Sequence, residues 1–292
     1  MSLWFGLAIQ ASIILLVFAI GLRTTWKDAI FLFRQPALLL NSLVARNVAM
    51  PVIAILLAKE FPVHPAVKGA IVLLSVTPVP PILPNALVKA GARTAYASGL
   101  LVSHSLLAIV FLPLTVEVMN LLFRAQAHFG PLSVAKETML TVVLPLTAGI
   151  VLHHFLRAST SKLARWIGRV GTILLVIALL PLVVVAWRAL QVVTGNGALL
   201  ALALFVLAGL AAGHALGGPN RGDRTALALA TAARHPGIAI AIADANFPSQ
   251  AKLVAGAVII YLVLCSLLSA PYRRWRLRAS DEKDDVAVPA QT

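Results

Sequence analysis

Charge is what this 292-residue chain has least of: Asp, Glu, Lys and Arg together make up 12% of it, about half the share in a typical soluble domain. Acid is scarcer than base, with ten Asp and Glu against twenty-four Lys and Arg. None of the acids falls in the middle of an apolar run: Asp28, Glu60, Glu117, Glu137, Asp223 and Asp244 sit at run ends or in loops, and the rest in the last twelve residues. The one cysteine, Cys265, lies inside an apolar run, which excludes an intrachain disulfide and a cysteine metal cluster. An H-E-x-x-H helix, a G-x-S-x-G elbow and paired carboxylates within an apolar run are all missing. Those absences argue against an enzyme and against a resident metal or cofactor.

What is abundant is apolar surface. Hydrophobic residues account for 60% of the chain and the mean hydropathy is +0.93. Apolar runs of about 17–25 residues recur along it, each long enough to cross a hydrocarbon core of about 30 Å. The expectation is an all-α polytopic membrane protein with about nine spans, near 3–22, 37–58, 67–88, 95–122, 138–156, 170–187, 198–216, 225–243 and 252–271. Met1–Leu22 lacks a basic n-region and a small-residue cleavage site and is read as the first span. The net charge of +14 sits in short segments between spans, so it reads as topology and not as a nucleic-acid surface. Counted in alternate loops, Lys and Arg number fifteen on one side and six on the other. The richer side is expected to be cytoplasmic, placing the N-terminus outside and the C-terminus inside a plasma (inner) membrane. Residues 1–278 read as one membrane domain and 279–292 as a charged, disordered tail. The lipid bilayer is one implied partner; the sequence leaves the oligomeric state open.

Two spans are interrupted. One carries Pro78, Pro80, Pro81 and Pro84 in "TPVPPILPNAL", and another carries Arg234, His235, Pro236 and Gly237 in "RHPG". Proline removes a backbone donor and clashes with the preceding turn, so neither span can be one continuous helix. Each is followed by a long span with a proline near its far end, Pro113 and Pro271, at the same separation of thirty-five residues. Broken spans five apart enter from opposite sides, the pattern of an inverted repeat with a substrate site where two discontinuous helices cross.

These landmarks, in order, are "VFAIGL" followed by "LFRQP", "ARNVAMP", "TPVPPILPN", "LPLTAGIVLHH" and "ALATAARHPGIAIAIADANF". They resemble the bile acid:sodium symporter family from about residue 10 to 277. The resemblance implies a core part built around two crossing broken helices, a panel part that moves against it, and transport of a small organic anion by alternating access. It also exposes a departure. Sodium-coupled relatives carry a Glu-x-x-x-Gln-Asn-x-Gly pattern on the second crossing helix; aligned on Gly237, its side chains become Ala230, Arg234 and His235. A further sodium-ligating glutamine falls on Arg46, and hydroxyls of the span after the first break fall on Ala97 and Leu101. A Ser-Asn pair falls on Leu83 and Pro84, with Asn85 one residue away. The side-chain ligands for sodium are thus largely absent, which makes sodium doubtful as a coupling ion.

Arg46 is central in its span and Arg234 sits at a break. A mid-membrane arginine costs about 2.5–3.5 kcal/mol on insertion scales. With no buried acid nearby in sequence, each guanidinium needs carbonyls, water or an anion. One reading is that both are tethered cations in place of sodium, forming with Asn47, Asn85, His235 and Gly237 a site for a carboxylate or similar anion. In that reading the half-helices beginning after Pro84 and Pro236 add N-terminal positive charge. The plainer reading is that the arginines pair with carbonyls freed at the breaks. His235 and, more distantly, His104 are the near-neutral titrating groups available for proton coupling. A sodium-coupled symporter with a rebuilt site and a non-transporting sensor or scaffold are the competing functions.

Overall fold

Every regular element in the computed structural model is helical among the described residues, which are 3–123, 136, 139–156, 160–193 and 195–286. Arg124, Glu137 and Arg157, counted above among the loop residues, lie outside them, as does the tail from 287 onward. The helices are α1 (Leu3–Gly21), a short α2 (Trp26–Ala29), α3 (Pro36–Glu60), α4 (Pro65–Val76), α5 (Leu83–Lys89) and α6 (Thr94–Phe123). They continue with α7 (Met139–Leu156), α8 (Thr160–Val193), α9 (Ala198–Leu216), α10 (Arg221–Ala232), α11 (Pro236–Asn246) and α12 (Ala251–Val286). Helix α12 runs past the last arginines to Val286, so residues 279–286, expected as disordered tail, are helical. Extending a formed helix needs no new nucleus, which outweighs the polar composition there.

Among the described residues, six stretches are long and apolar enough to cross a membrane: Pro36–Glu60, Thr94–Phe111, Met139–Leu156, Ala198–Leu216, Arg221–Asp244 and Ala251–Arg278. Their outward faces carry exposed apolar side chains such as Phe155, Leu200 and Leu267, as a lipid-facing exterior requires.

Proline dictates where the helices stop. Pro78 holds Thr77 in an extended conformation, φ −74° and ψ 147°, because a residue before proline is driven out of the α region. The same restriction holds His235 at φ −78° and ψ 102° before Pro236. Two helices carry a π-helical segment, Val44–Ala49 in α3 and Met139–Val143 in α7. Each ends two residues before a proline, Pro51 and Pro145. Proline has no N–H to return to the preceding turn, and the wider π turn takes up the mismatch.

Two apolar clusters organise the packing. The larger joins α3, α4, α5, α6, α9, α10, α11 and α12 around Met50, Leu74, Phe205 and Tyr261. The smaller holds α1 against α7 through Val17, Ile20, Leu146 and Ile150, and reaches Val79 in the first break and Leu101 on α6. Small residues let backbones meet in both. Gly209 and Gly213 of α9 lie so close to α10 that a Cβ would come within 2.8 Å of Ala232 Cα and 2.5 Å of Ala228 Cα. On the other side, a Cβ at Gly149 would lie 2.8 Å from Gly21 Cα. Such small-residue contacts are how helices associate where lipid offers no hydrophobic drive.

Candidate functional site

The two breaks meet. Helix α4 packs against α11, and α5 against α10, so the first half of each broken pair touches the second half of the other. Thr77, the last residue before the first break, lies at the junction. Its hydroxyl accepts a hydrogen bond from the His235 N–H at 3.0 Å and donates to Leu74 O at 2.9 Å. His235 also caps α11, its Nδ1 accepting from the Ile238 N–H at 3.3 Å.

Arg234 fastens the crossing. Its Nε donates to Thr231 O (3.0 Å), Nη1 to Ser75 O (3.1 Å) and Thr77 O (3.3 Å), and Nη2 to Arg46 O (3.1 Å). Its backbone N–H donates to the Tyr261 hydroxyl at 2.6 Å, and that hydroxyl donates to Ala232 O at 2.6 Å. Four carbonyl oxygens from three segments therefore surround one guanidinium that is 2% exposed. The carbonyls are free because the helices break or bulge there: Ser75 and Thr77 adjoin the first break, Thr231 the second, and Arg46 lies in the π segment of α3.

Arg46 is in a different state. It is fully buried, and a single donor, Nη2, reaches Thr77 O at 3.5 Å. Its Nε and Nη1 have no partner among the described residues. Neither arginine has an acidic partner among the described residues; the buried acid of α10, Asp223, lies at the helix's far end and is held by Arg93 in a two-pronged ion pair. Two guanidinium groups thus share one carbonyl, a repulsive arrangement in a low-dielectric setting, with donors of Arg46 left over.

A model of the Sodium Bile acid symporter family matches residues 11–207, more than half of the chain. The chain belongs to this family. No curated protein matches it. Membership makes it a membrane transporter of the bile acid symporter type. In this family member the match includes Arg46 and the first break and ends before the second, at residues 233–235.

Among the residues singled out from the sequence, the fold brings Arg46, Arg234 and His235 together around Thr77. Gly237 sits in the first turn of α11, its hydrogen side 3.2 Å (for an added Cβ) from the His235 ring. Pro81 and Pro84 are buried and Pro78 and Pro236 half-buried around the two breaks. His104 is buried on α6 with Nε2 3.4 Å from Ser42 O, one turn before Arg46. Asn47 is half-buried beside Arg46 and Asn85 is exposed on α5; neither hydrogen-bonds either arginine among the described residues. Two participants escaped the sequence reading, Thr77 and Tyr261. A tyrosine in mid-span is itself a signal, since its hydroxyl needs a partner away from the interface.

Proposed function

We propose that the protein is a secondary transporter that carries a small organic anion across the plasma (inner) membrane by alternating access, without sodium. The observation that carries this reading is the buried Arg46 guanidinium with Nε and Nη1 unpartnered. Arg46 is the direct contact for the anion, a carboxylate accepting from its free edge. Arg234 contributes positive charge while its own donors hold the two breaks together. Asn47, Asn85, His235 and Gly237 complete the lining in this proposal, and the N-terminus of α11 adds its partial positive charge. The nine-span inverted repeat is supported by the matching order helix–break–helix–helix in α4–α5–α6 and α10–α11–α12. The separate α1–α7 cluster supports a panel part moving against the core.

Sodium independence rests on the four carbonyls around Arg234. Those oxygens suit a hard cation, and a guanidinium already occupies them. An arginine in that place cannot dissociate as an ion does, nor lose its proton in the working range, so it cannot carry a gradient. Transport is then proton-linked through His235, with His104 as the more distant candidate, or proceeds by exchange or facilitated flux. Protonating His235 Nδ1 would break its cap on Ile238, which ties a proton to the start of α11.

The test is a panel of organic anions on purified protein, in sodium and in choline. Arg46→Ala should weaken the best ligand by about 1.5–3 kcal/mol, with affinity in the wild type unchanged between the two cations. Unaltered affinity in Arg46→Ala would sink the proposal. His235→Asn keeps a capping side chain and removes the titration, so it should flatten any pH dependence of reconstituted uptake. A second reading, a sodium-coupled symporter with a rebuilt site, is favoured by the buried Thr231 hydroxyl that lacks a partner. Uptake that collapses in choline would select it.

A further inference from the structure

The first break is stiff. From Thr77 to Pro81 the chain reads Thr-Pro-Val-Pro-Pro. Pro78, Pro80 and Pro81 have fixed φ, and Thr77 and Val79, each ahead of a proline, are driven toward extended backbone. A turn from the Leu83 N–H to Pro80 O at 3.0 Å closes the far end. The two residues of this segment that are not proline face different parts of the molecule. Thr77 is buried at the crossing, where its carbonyl accepts from Arg46 and Arg234 and its hydroxyl from the His235 N–H. Val79 is buried in the smaller cluster, the one that α1 and α7 form, and not in the larger one around Leu74 and Tyr261. Leu101 is equally buried in that smaller cluster but stands on the unbroken helix α6.

A flexible break would absorb a displacement of α1 and α7 by rotating its own backbone. This one has little rotation available between Val79 and Thr77, so a displacement felt at Val79 arrives at Thr77. We propose that Val79 is a positioning residue, and that residues 77–81 act as a lever setting the crossing according to where α1 and α7 stand. Two groups would follow Thr77. Its carbonyl is the one hydrogen-bond partner of the Arg46 guanidinium among the described residues, so the donors of Arg46 are aimed by it. Its hydroxyl holds the His235 N–H, which carries the movement into the second break and the start of α11. The anion contact at Arg46 rests on the function proposed above; the lever does not, and its test uses no anion.

The experiment is hydrogen–deuterium exchange of the full-length protein in detergent, comparing residues 233–240, across the second break, with helix α9 as the internal reference. Val79→Ala leaves every residue of the crossing in place, yet exchange at 233–240 should quicken about tenfold with α9 unchanged. Val79→Ile keeps a branched apolar side chain and should restore the wild-type rate. Leu101→Ala opens a cavity in the same cluster on an unbroken helix, so 233–240 should exchange as in wild type. Pro78→Ala keeps the Thr77 and Val79 side chains, frees the joint between them, and should also quicken 233–240. If Val79→Ala quickens α9 as well, through general unfolding, Pro78→Ala decides. Wild-type exchange at 233–240 in a folded Val79→Ala protein, or in Pro78→Ala, overturns the proposal. So does a Leu101→Ala protein as fast there as Val79→Ala, which would mean loosening of the whole cluster, or a Val79→Ile protein that fails to restore protection.

Discussion

Arg46 and Arg234 are the same residue type, both buried, both beside Thr77, and the fold treats them oppositely. Arg234 makes four carbonyl hydrogen bonds, and Arg46 makes one long one. Their substitutions should diverge accordingly. Arg234→Ala leaves four carbonyls without donors and should lower stability by several kcal/mol, on the order of 3. Arg234→Lys should not restore it, because a compact ammonium cannot span a planar fork of oxygens. Arg46→Ala removes an under-partnered buried charge and should be neutral or stabilising in the absence of anion. Thermal unfolding in detergent measures all three. An Arg46→Ala protein as unstable as Arg234→Ala would make Arg46 a structural pin.

At the scale of elements, contact distance decides the architecture more than apolar area does. The broken helix α10 is only 12 residues long, about 18 Å at 1.5 Å per residue, and it depends on its neighbours to stay in place. Gly209 and Gly213 bring α9 against its backbone. At its start, Asn220 caps the Asp223 N–H at 3.0 Å, while Arg93, stacked 5.0 Å from the Phe31 ring, holds the Asp223 side chain. The Asp223 carboxylate raises the Arg93 pKa above its ordinary value, through the hydrogen bond first. Gly213→Leu should push α9 off α10 and cost about 1–3 kcal/mol from overpacking, or more because the obstacle is backbone. Gly213→Ala should do the same to a smaller extent. Melting temperature reads both, and an unchanged Gly213→Leu protein would contradict the close approach.

For the whole molecule, the proposed orientation follows from charge placed outside the apolar stretches. Reporter fusions at residue 160 and at the C-terminus should both report cytoplasm, given the fifteen-to-six bias in loop Lys and Arg. A split result would remove the nine-span scheme. The same scheme puts the arginines of α12 and the start of α10 on the cytoplasmic side.

Composition by itself determined the all-helical membrane class, because apolar run length and the scarcity of acid leave no other solution in a bilayer. Proline positions determined both breaks, since the constraint on Thr77 and His235 is local and covalent. The smooth apolar runs hid the π segment around Arg46, though Pro51 was in view, because a change of helical register has no compositional mark. What each arginine does could not be read along the chain at all. The partners of Arg234 are Arg46, Ser75, Thr77 and Thr231, and three of the four are more than 150 positions away. They are backbone carbonyls, identical in every residue, so only the crossing in three dimensions separates the guanidinium that is satisfied from the one that is not.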